Sequence, residues 1–223
     1  MSKPDVSGLV VGVLGGTGPQ GRGLASRLAA VGQRVVLGSR SADRARDAAA
    51  ELVDGGSSTV TGTDNAGCAR AADLVVVAVP WEGHAALLTE LAADLAGKVV
   101  VDCVNPLGFD AQGAFALQVE DGSAAQQAAR LLPGSRVVGA FHHVSAVLLN
   151  DAGTERVETD VLVVGDDRDA TDLVQALADR VPGLRGVYAG RLRNAHQVEA
   201  LTANLVSVNR RYKAHAGIRV TDV

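Results

Sequence analysis

The chain has 223 residues, 47% of them hydrophobic and only 3% aromatic, so its core must be built from Ala, Val and Leu. That length suits one large domain, or one medium domain with a small second one. A net charge of −4 argues against a nucleic-acid surface, and Met1–Gly8 lacks the apolar stretch of a signal peptide. No apolar run approaches the roughly 18 residues that span a bilayer, so a soluble, cytoplasmic protein is expected.

The predicted elements alternate from the start. Leu9–Leu14 is an unbroken apolar run, as for a strand buried on both faces. Pro19–Val31 carries Leu24, Leu28 and Val31 at helical spacing. Pro19 is tolerated in a first turn, and Gly32 ends the helix. Arg34–Gly38 reads as the second strand, and Ser41 caps a helix that runs to about Val53. Val60 marks a short third strand. Leu74–Val79 and Val99–Asp102 are the fourth and fifth, with a helix near His84–Leu95 between them. A helix near Ala124–Leu131 precedes a sixth strand, Arg136–Phe141.

Past about Ala146 the pattern changes. It gives a strand at Val161–Val164, a helix at Asp169–Val181, a strand at Arg185–Tyr188 and a long helix over Asn194–Ala214. Repeated β-α units imply an α/β fold with a doubly wound parallel sheet and right-handed crossovers. A boundary falls near 140–150. It leaves residues 1–145 as the larger domain and 146–223 as a smaller α/β part ending in a long helix. The two cysteines, Cys68 and Cys103, match no metal spacing and read as reduced, buried thiols.

Gly16-Thr17-Gly18-Pro19-Gln20-Gly21 fits G-x-G-x-x-G, and it follows a buried strand and opens a helix. In that context Gly16 permits the tight turn, Gly18 lets backbone approach a pyrophosphate, and Gly21 brings helix and sheet together. The unpaired N–H groups and positive dipole end at the helix start receive the phosphates. This is the dinucleotide turn of a Rossmann-type sheet. An acid at the end of the second strand, about 20 residues on, would bond the ribose hydroxyls of NAD. This chain has Gly38-Ser39-Arg40 there, with Arg44 one helical turn further. A guanidinium binds a 2′-phosphate bidentately, so NADP is expected over NAD.

Three further strand-end loops face the same edge. Val79-Pro80-Trp81-Glu82-Gly83-His84 holds the only tryptophan, read as a loop residue that either flanks the cofactor or covers core at the sheet rim. His84 either contacts ribose or phosphate, or is a surface histidine at a helix start. The others are Asp102-Cys103-Val104-Asn105-Pro106-Leu107-Gly108 and Ala140-Phe141-His142-His143-Val144-Ser145-Ala146. Adjacent histidines on a strand would point to opposite faces, so His142 and His143 are not expected to share a metal. One should line the cleft while the other packs locally. No G-x-S-x-G or comparable nucleophile motif is present.

Taken together, "GVLGGTGPQGRGLA", "VVLGSR", "VPWEGH", "VNPL", "AFHHVSA" and "AHAGIRV" resemble the 8-hydroxy-5-deazaflavin (coenzyme F420):NADP oxidoreductases. The resemblance runs from about Leu9 to the end, and metalloreductase domains share its first half. It implies reversible hydride transfer between nicotinamide C4 and deazaflavin C5. It implies Thr17, Gly18, Pro19 and Gln20 at the diphosphate, and Ser39, Arg40 and Arg44 at the 2′-phosphate. The Val79–Pro80–Trp81 loop would lie along the dinucleotide. Asn105, Pro106 and Leu107, with His142, His143, Val144 and Ser145, would hold the deazaflavin over the nicotinamide. Ala216 and Ile218 would close that pocket, and the smaller C-terminal part would join a homodimer. Gly83 before His84 departs from some relatives and leaves His84 without a transferred role.

Such chemistry needs no protein nucleophile. It needs two planar rings at near-attack distance with water excluded, the protein supplying orientation. Small or apolar Ala140, Val144, Ala146 and Pro106 would let the rings approach, with His142 or His143 as a hydrogen-bonding partner. Alternatives at this level are an NADPH-dependent ketone or imine reductase, a flavin-mediated ferric reductase, or an NADP-sensing regulatory module. The cleft loops carry no lysine, which counts against ketone or imine reduction.

Overall fold

Val10–Leu14 forms β1 in the interior of an eight-stranded sheet. The computed structural model describes residues 3–54 and 59–223. After β1 come α1 (Pro19–Ala30), β2 (Arg34–Ser39), α2 (Ala42–Asp54), β3 (Val60–Asp64) and α3 (Asn65–Ala71). Then follow β4 (Leu74–Val77), α4 (Trp81–Leu95) and β5 (Val99–Asp102). A hairpin of β6 (Leu107–Asp110) and β7 (Gly113–Ala116) leads to α5 (Ala124–Leu131) and β8 (Arg136–Gly139). The chain ends with α6 (Ala146–Asn150), β9 (Thr159–Gly165), α7 (Arg168–Asp179), β10 (Leu184–Gly190), α8 (Ala195–Tyr212) and a tail.

The strand order is β10-β9-β8-β5-β4-β1-β2-β3. All neighbours are parallel except β8 and β9, which pair antiparallel through Val138–Gly165 and Gly139–Val164. The expected doubly wound α/β sheet is therefore present, and it runs across residue 145 without a break.

Pleating divides the core into two layers, because successive strand residues face opposite sides. Val11, Val13, Leu74 and Val76 pack with Leu24 and Leu28 of α1, Ala45 and Ala49 of α2 and Leu177 of α7. On the other face Leu14, Val75, Val77 and Val100 meet Cys68 of α3, Leu88, Leu91 and Leu95 of α4 and Ala128 of α5. Each fully buried leucine contributes about 1.5–3 kcal/mol from its removal from water. Both cysteines are buried and unbridged, as expected. Burial pushes the Cys68 thiol up to about 12 and the Cys103 thiol higher still, so neither is a thiolate at neutral pH.

After α8 the tail turns back onto β9. Ile218 N–H donates to Thr159 Oγ1 (2.9 Å), and Asp160 N–H donates to Ile218 O (2.8 Å). The buried Asp160 carboxylate accepts from the Arg185 and Arg219 guanidiniums and from Val220 N–H. Those partners hold its pKa well below the usual carboxylate range.

Several boundaries differ from the sequence expectation. The fourth strand stops at Val77 rather than Val79, and Trp81 is the first residue of α4, not a loop residue, with Pro80 as its N-cap. The sixth strand of the expectation, β8 here, stops at Gly139, so His142 and His143 lie in a turn. The strand-alternation argument applied to the two histidines therefore does not hold. Three short elements were not anticipated: α3, the β6–β7 hairpin and α6. Asp64 caps α3 by accepting from Gly67 N–H (2.6 Å). Asp110 turns the hairpin by accepting from Gln112 N–H (2.7 Å) and Gly113 N–H (3.1 Å).

Candidate functional site

The strand order reverses between β1 and β4, where the chain leaves for opposite edges of the sheet. In open α/β sheets this switch point leaves a crevice beyond the strand carboxyl ends. Here a cleft of about 520 Å³ opens there. Its walls come from the β1–α1 turn (Gly15, Thr17, Gly18), the end of β2 and start of α2 (Ser39, Arg40, Arg44), Asn65, and the β4–α4 segment (Ala78, Val79, Pro80, Glu82, Gly83, Leu87).

The glycine turn is built by close approach. Gly15 takes φ +77, and a Cβ on it would stand 2.5 Å from Ala78 O. The left-handed position is thus Gly15, not Gly16 as the motif suggests. Gly16 lies in the turn, donating N–H to Gly38 O (3.1 Å), and a Cβ there would meet Leu37 at 2.8 Å. Gly21 fits as expected: a Cβ would lie 2.7 Å from Gly15 O. The helix starts at Pro19 with Gly18 as N-cap, no side-chain cap and no acid in its first turn. Its positive end therefore faces the cleft uncompensated, a ready anion site. Pro19 and Gln20 do not line the cleft; the Gln20 amide instead donates to Phe141 O (3.2 Å).

At the far wall Ser39 is buried and Arg40 and Arg44 are exposed. Among the described residues neither arginine makes an ion pair, so both guanidiniums are free to take an anion. Asn65 was not anticipated. It begins α3, lines the cleft, and its Oδ1 is buried without a partner. The signal was present as a polar residue directly after a strand end, but the third strand was marked only by Val60.

His84 departs most from expectation. It is fully buried, touches neither surface nor cleft, and both ring nitrogens are engaged. Nε2 lies 2.6 Å from Asp102 Oδ2 and Nδ1 lies 3.0 Å from Gln127 Oε1. Burial opposes its charged form, but the Asp102 hydrogen bond and charge outweigh that and raise its pKa. Trp81 leans on the His84 ring at 5.5 Å between centroids. Nearby, buried Glu199 of α8 accepts from Ala124 N–H (2.9 Å) and Ala125 N–H (3.1 Å) at the start of α5. Burial raises its pKa to about 7 despite those bonds.

The family model described as "NADP oxidoreductase coenzyme F420-dependent" matches residues 10–106. An F420-dependent NADP reductase of Methanothermobacter marburgensis is 38% identical over 221 residues, covering 96% of this chain and 98% of the relative. The chain belongs to the F420-dependent NADP reductases. The namesake enzyme of Methanocaldococcus jannaschii is 34% identical over 96% of this chain and 98% of its own. A crystal structure from Arthrobacter sp. FB24, provisionally assigned as an F420-dependent NADP reductase, superposes with TM-score 0.80 at 28% identity. It covers 96% of this chain and all of its own. As an F420-dependent NADP reductase, the chain is an oxidoreductase.

The remaining residues singled out in this reductase gather at the carboxyl ends of β5 and β8. Asn105 Nδ2 donates to His142 O (2.8 Å), and Thr202 Oγ1 of α8 donates to the same carbonyl (3.1 Å). Pro106 and Val144 are buried, and Leu107 is half-buried as the first residue of β6. The turn leaves β8 through Phe141, a buried side chain at φ +63. Both histidines are buried, which pushes each pKa down to about 4 and keeps them neutral. His143 Nε2 accepts from Leu162 N–H (3.3 Å), while His143 Nδ1 and both nitrogens of His142 have no partner among the described residues. Ala216 N–H donates to Asn209 Oδ1 (2.6 Å), and Ile218 is fixed to Thr159; both are half-buried.

Proposed function

We propose that the cleft at the β1/β4 switch point holds NADP(H), and that the 105–107 and 142–145 segments hold the deazaflavin beside it, for reversible hydride transfer between the two. The observation that carries this reading is the pairing of an uncapped α1 start with two unpaired guanidiniums, Arg40 and Arg44, across one cleft. The residues fit the dinucleotide: glycine backbone where a Cβ would collide, a free helix start for the diphosphate, and Ser39, Arg40 and Arg44 for an extra phosphate. They fit the acceptor through three orphaned imidazole nitrogens, because a neutral imidazole offers a donor and an acceptor to a polar ring edge.

The two coenzymes, when bound, supply hydride donor and acceptor; the chain supplies orientation. Thr17 and Gly18 hold the diphosphate, Val79 and Pro80 lie along the dinucleotide, and buried Ala140, Pro106 and Val144 keep water from the ring faces. His142 or His143, neutral at working pH, passes or holds the proton that reduction of the deazaflavin consumes. Ala216 and Ile218, pinned to β9, close the acceptor side. Residues 1–145 thereby supply the dinucleotide cleft and the 105–107 and 142–145 segments, and 146–223 close the acceptor side and meet a second copy of the chain.

The exposed Phe109, Phe115, Val208 and Tyr212 on the hairpin and α8 are the apolar surface that a homodimer would cover. Light scattering giving twice the chain mass, reverting on Phe109→Asp, supports that assembly. The site itself is tested by mixing protein, NADPH and deazaflavin and following the deazaflavin's visible absorbance in both directions. Enzyme-dependent bleaching with NADPH, far slower with NADH, supports the reading; binding of NADPH with no turnover of deazaflavin sinks it. A cytoplasmic location follows from these soluble coenzymes and is checked by fractionation.

A further inference from the structure

Helix α1 serves more than the glycine turn. Its N-cap Gly18 lines the cleft, and its flank grips the segment that carries the two histidines. At the near end of that segment Gln20 Nε2 donates to Phe141 O (3.2 Å). At the far end Asn150 Nδ2 donates both to Pro19 O (2.8 Å) and to Ala146 O (2.7 Å). Two turns below, Arg27 spends its whole guanidinium on backbone carbonyls: Leu149 O (2.9 Å), Leu148 O (2.7 Å), Asp151 O (2.8 Å) and Thr154 O (2.5 Å). The contact leaves no slack, since a Cβ on Gly23 would stand 2.6 Å from Leu149 Cβ.

The segment does not hold its shape unaided. It leaves β8 through Phe141, a non-glycine residue in the left-handed region, a strained conformation that persists only where surroundings over-determine it. Helix α6 is five residues long, so almost none of its terminal carbonyls find a partner within the helix. A guanidinium at that end takes up those carbonyls. Asn105 and Thr202 hold His142 O from the opposite side, so the histidine turn is suspended between two anchors.

We propose that Asn150 and Arg27 are positioning residues for the hydride transfer: they register the acceptor-side segment, Phe141–Thr154, against the helix that opens at the dinucleotide turn. One helix then sets both halves of the site. Neither residue lines the cleft, and each acts through backbone carbonyls of other residues. A displacement of about 1 Å far from the chemistry can cost ~100-fold in rate, so loosening this clamp is read in catalysis before it is read in dinucleotide binding. The inference rests on the proposed assignment of the cleft to NADP(H) and of the histidine turn to the deazaflavin.

The test uses the full chain with Asn150→Ala and Arg27→Lys, the second keeping the charge while losing the fork. For Asn150→Ala, NADP+ affinity, read by quenching of Trp81 fluorescence, stays within about twofold, while kcat falls ~10-fold or more and the deazaflavin KM rises. Arg27→Lys gives the same split in milder form. A second readout needs no turnover. In the wild type, NADP+ slows amide exchange in residues 15–20 and also in 146–154, which do not line the cleft. In Asn150→Ala only the 15–20 protection survives. Unchanged kcat and deazaflavin KM in Asn150→Ala, or wild-type protection of 15–20 without any in 146–154, overturns the clamp alone. No protection of 15–20 by NADP+ overturns the cleft assignment and the clamp with it.

Discussion

His84 Nε2 sits 2.6 Å from Asp102 Oδ2, and neither side chain is exposed to solvent at all. The pair joins the start of α4 to the end of β5, and Asp102 Oδ1 also accepts from Val104 N–H (3.0 Å), fixing the turn that leads to Asn105. Removing one partner of such a pair strands a buried charge, which typically costs 3–5 kcal/mol. His84→Ala is expected to lose about that much stability in urea denaturation. His84→Gln, which can still donate to Asp102, should lose less than half of it. Equal losses for the two variants would mean that ring volume, not the carboxylate contact, is what matters.

Glu199 predicts a pH dependence. Its carboxyl is raised from about 4.5 to about 7 by burial, so the folded protein holds a proton there that the unfolded chain releases. A group raised on folding stabilises most below its unfolded pKa and loses that contribution as pH rises through its folded value. The Glu199 contribution should therefore fall between about pH 4.5 and 7 by up to ~1.4 kcal/mol per pH unit. It works against the opposite slope from His142 and His143, which folding holds at about 4 and which must charge on unfolding below their ordinary range. His84 is raised too and adds a decline of the same sign above its ordinary range. Glu199→Gln keeps an acceptor for one α5 N–H and removes this component, so the variant's stability should rise more steeply with pH than the wild type's across that window. Chemical denaturation at half-unit pH steps checks it, and an unaltered slope in the variant refutes the assignment.

The sheet was legible because its strands are short aliphatic runs separated by helices of ordinary length. Val99–Asp102 reads directly as a strand, Leu74–Val79 overruns its strand by two residues, and Ala124–Leu131 matches its helix to the residue. What escaped were elements held by single side chains rather than by periodicity. Helix α3 depends on the Asp64 cap, the hairpin on the Asp110 turn, and α6 on Arg27 reaching across from α1. In the cleft, Ser39, Arg40 and Arg44 were found because charge at a strand end has a direct chemical meaning. Asn65 was missed because its value lies in an orphaned buried oxygen, which only packing reveals. His84 was misread for the converse reason: its partners, Asp102 and Gln127, are 18 and 43 residues away.

In the proposed reading Arg40 and Arg44 set the choice of dinucleotide. Hydrogen bonds to charged groups contribute about 1.5–3 kcal/mol each, and both guanidiniums are unpaired in this cleft. Arg40→Ala with Arg44→Ala should weaken NADPH by roughly 100-fold or more while leaving NADH nearly unchanged, since NADH carries no 2′-phosphate to lose. Titration of each cofactor by Trp81 fluorescence measures the ratio. Parallel loss of both cofactors would place the arginines elsewhere than at that phosphate.

Asn65 carries the last expectation. A buried amide oxygen with no partner costs about 1–3 kcal/mol until something donates to it. In the proposed reading its position at the start of α3, in the same cleft wall as Ser39 and Arg40, makes the adenosine end of the dinucleotide the expected donor. Asn65→Leu removes the orphan, so the free protein should melt no lower than the wild type and its NADP+-bound form should gain less in Tm. The NADPH KM should rise about 10-fold with kcat unchanged, because a contact remote from the reacting ring binds ground state and transition state alike. A fall in kcat at constant KM would move Asn65 from cofactor binding to alignment of the nicotinamide.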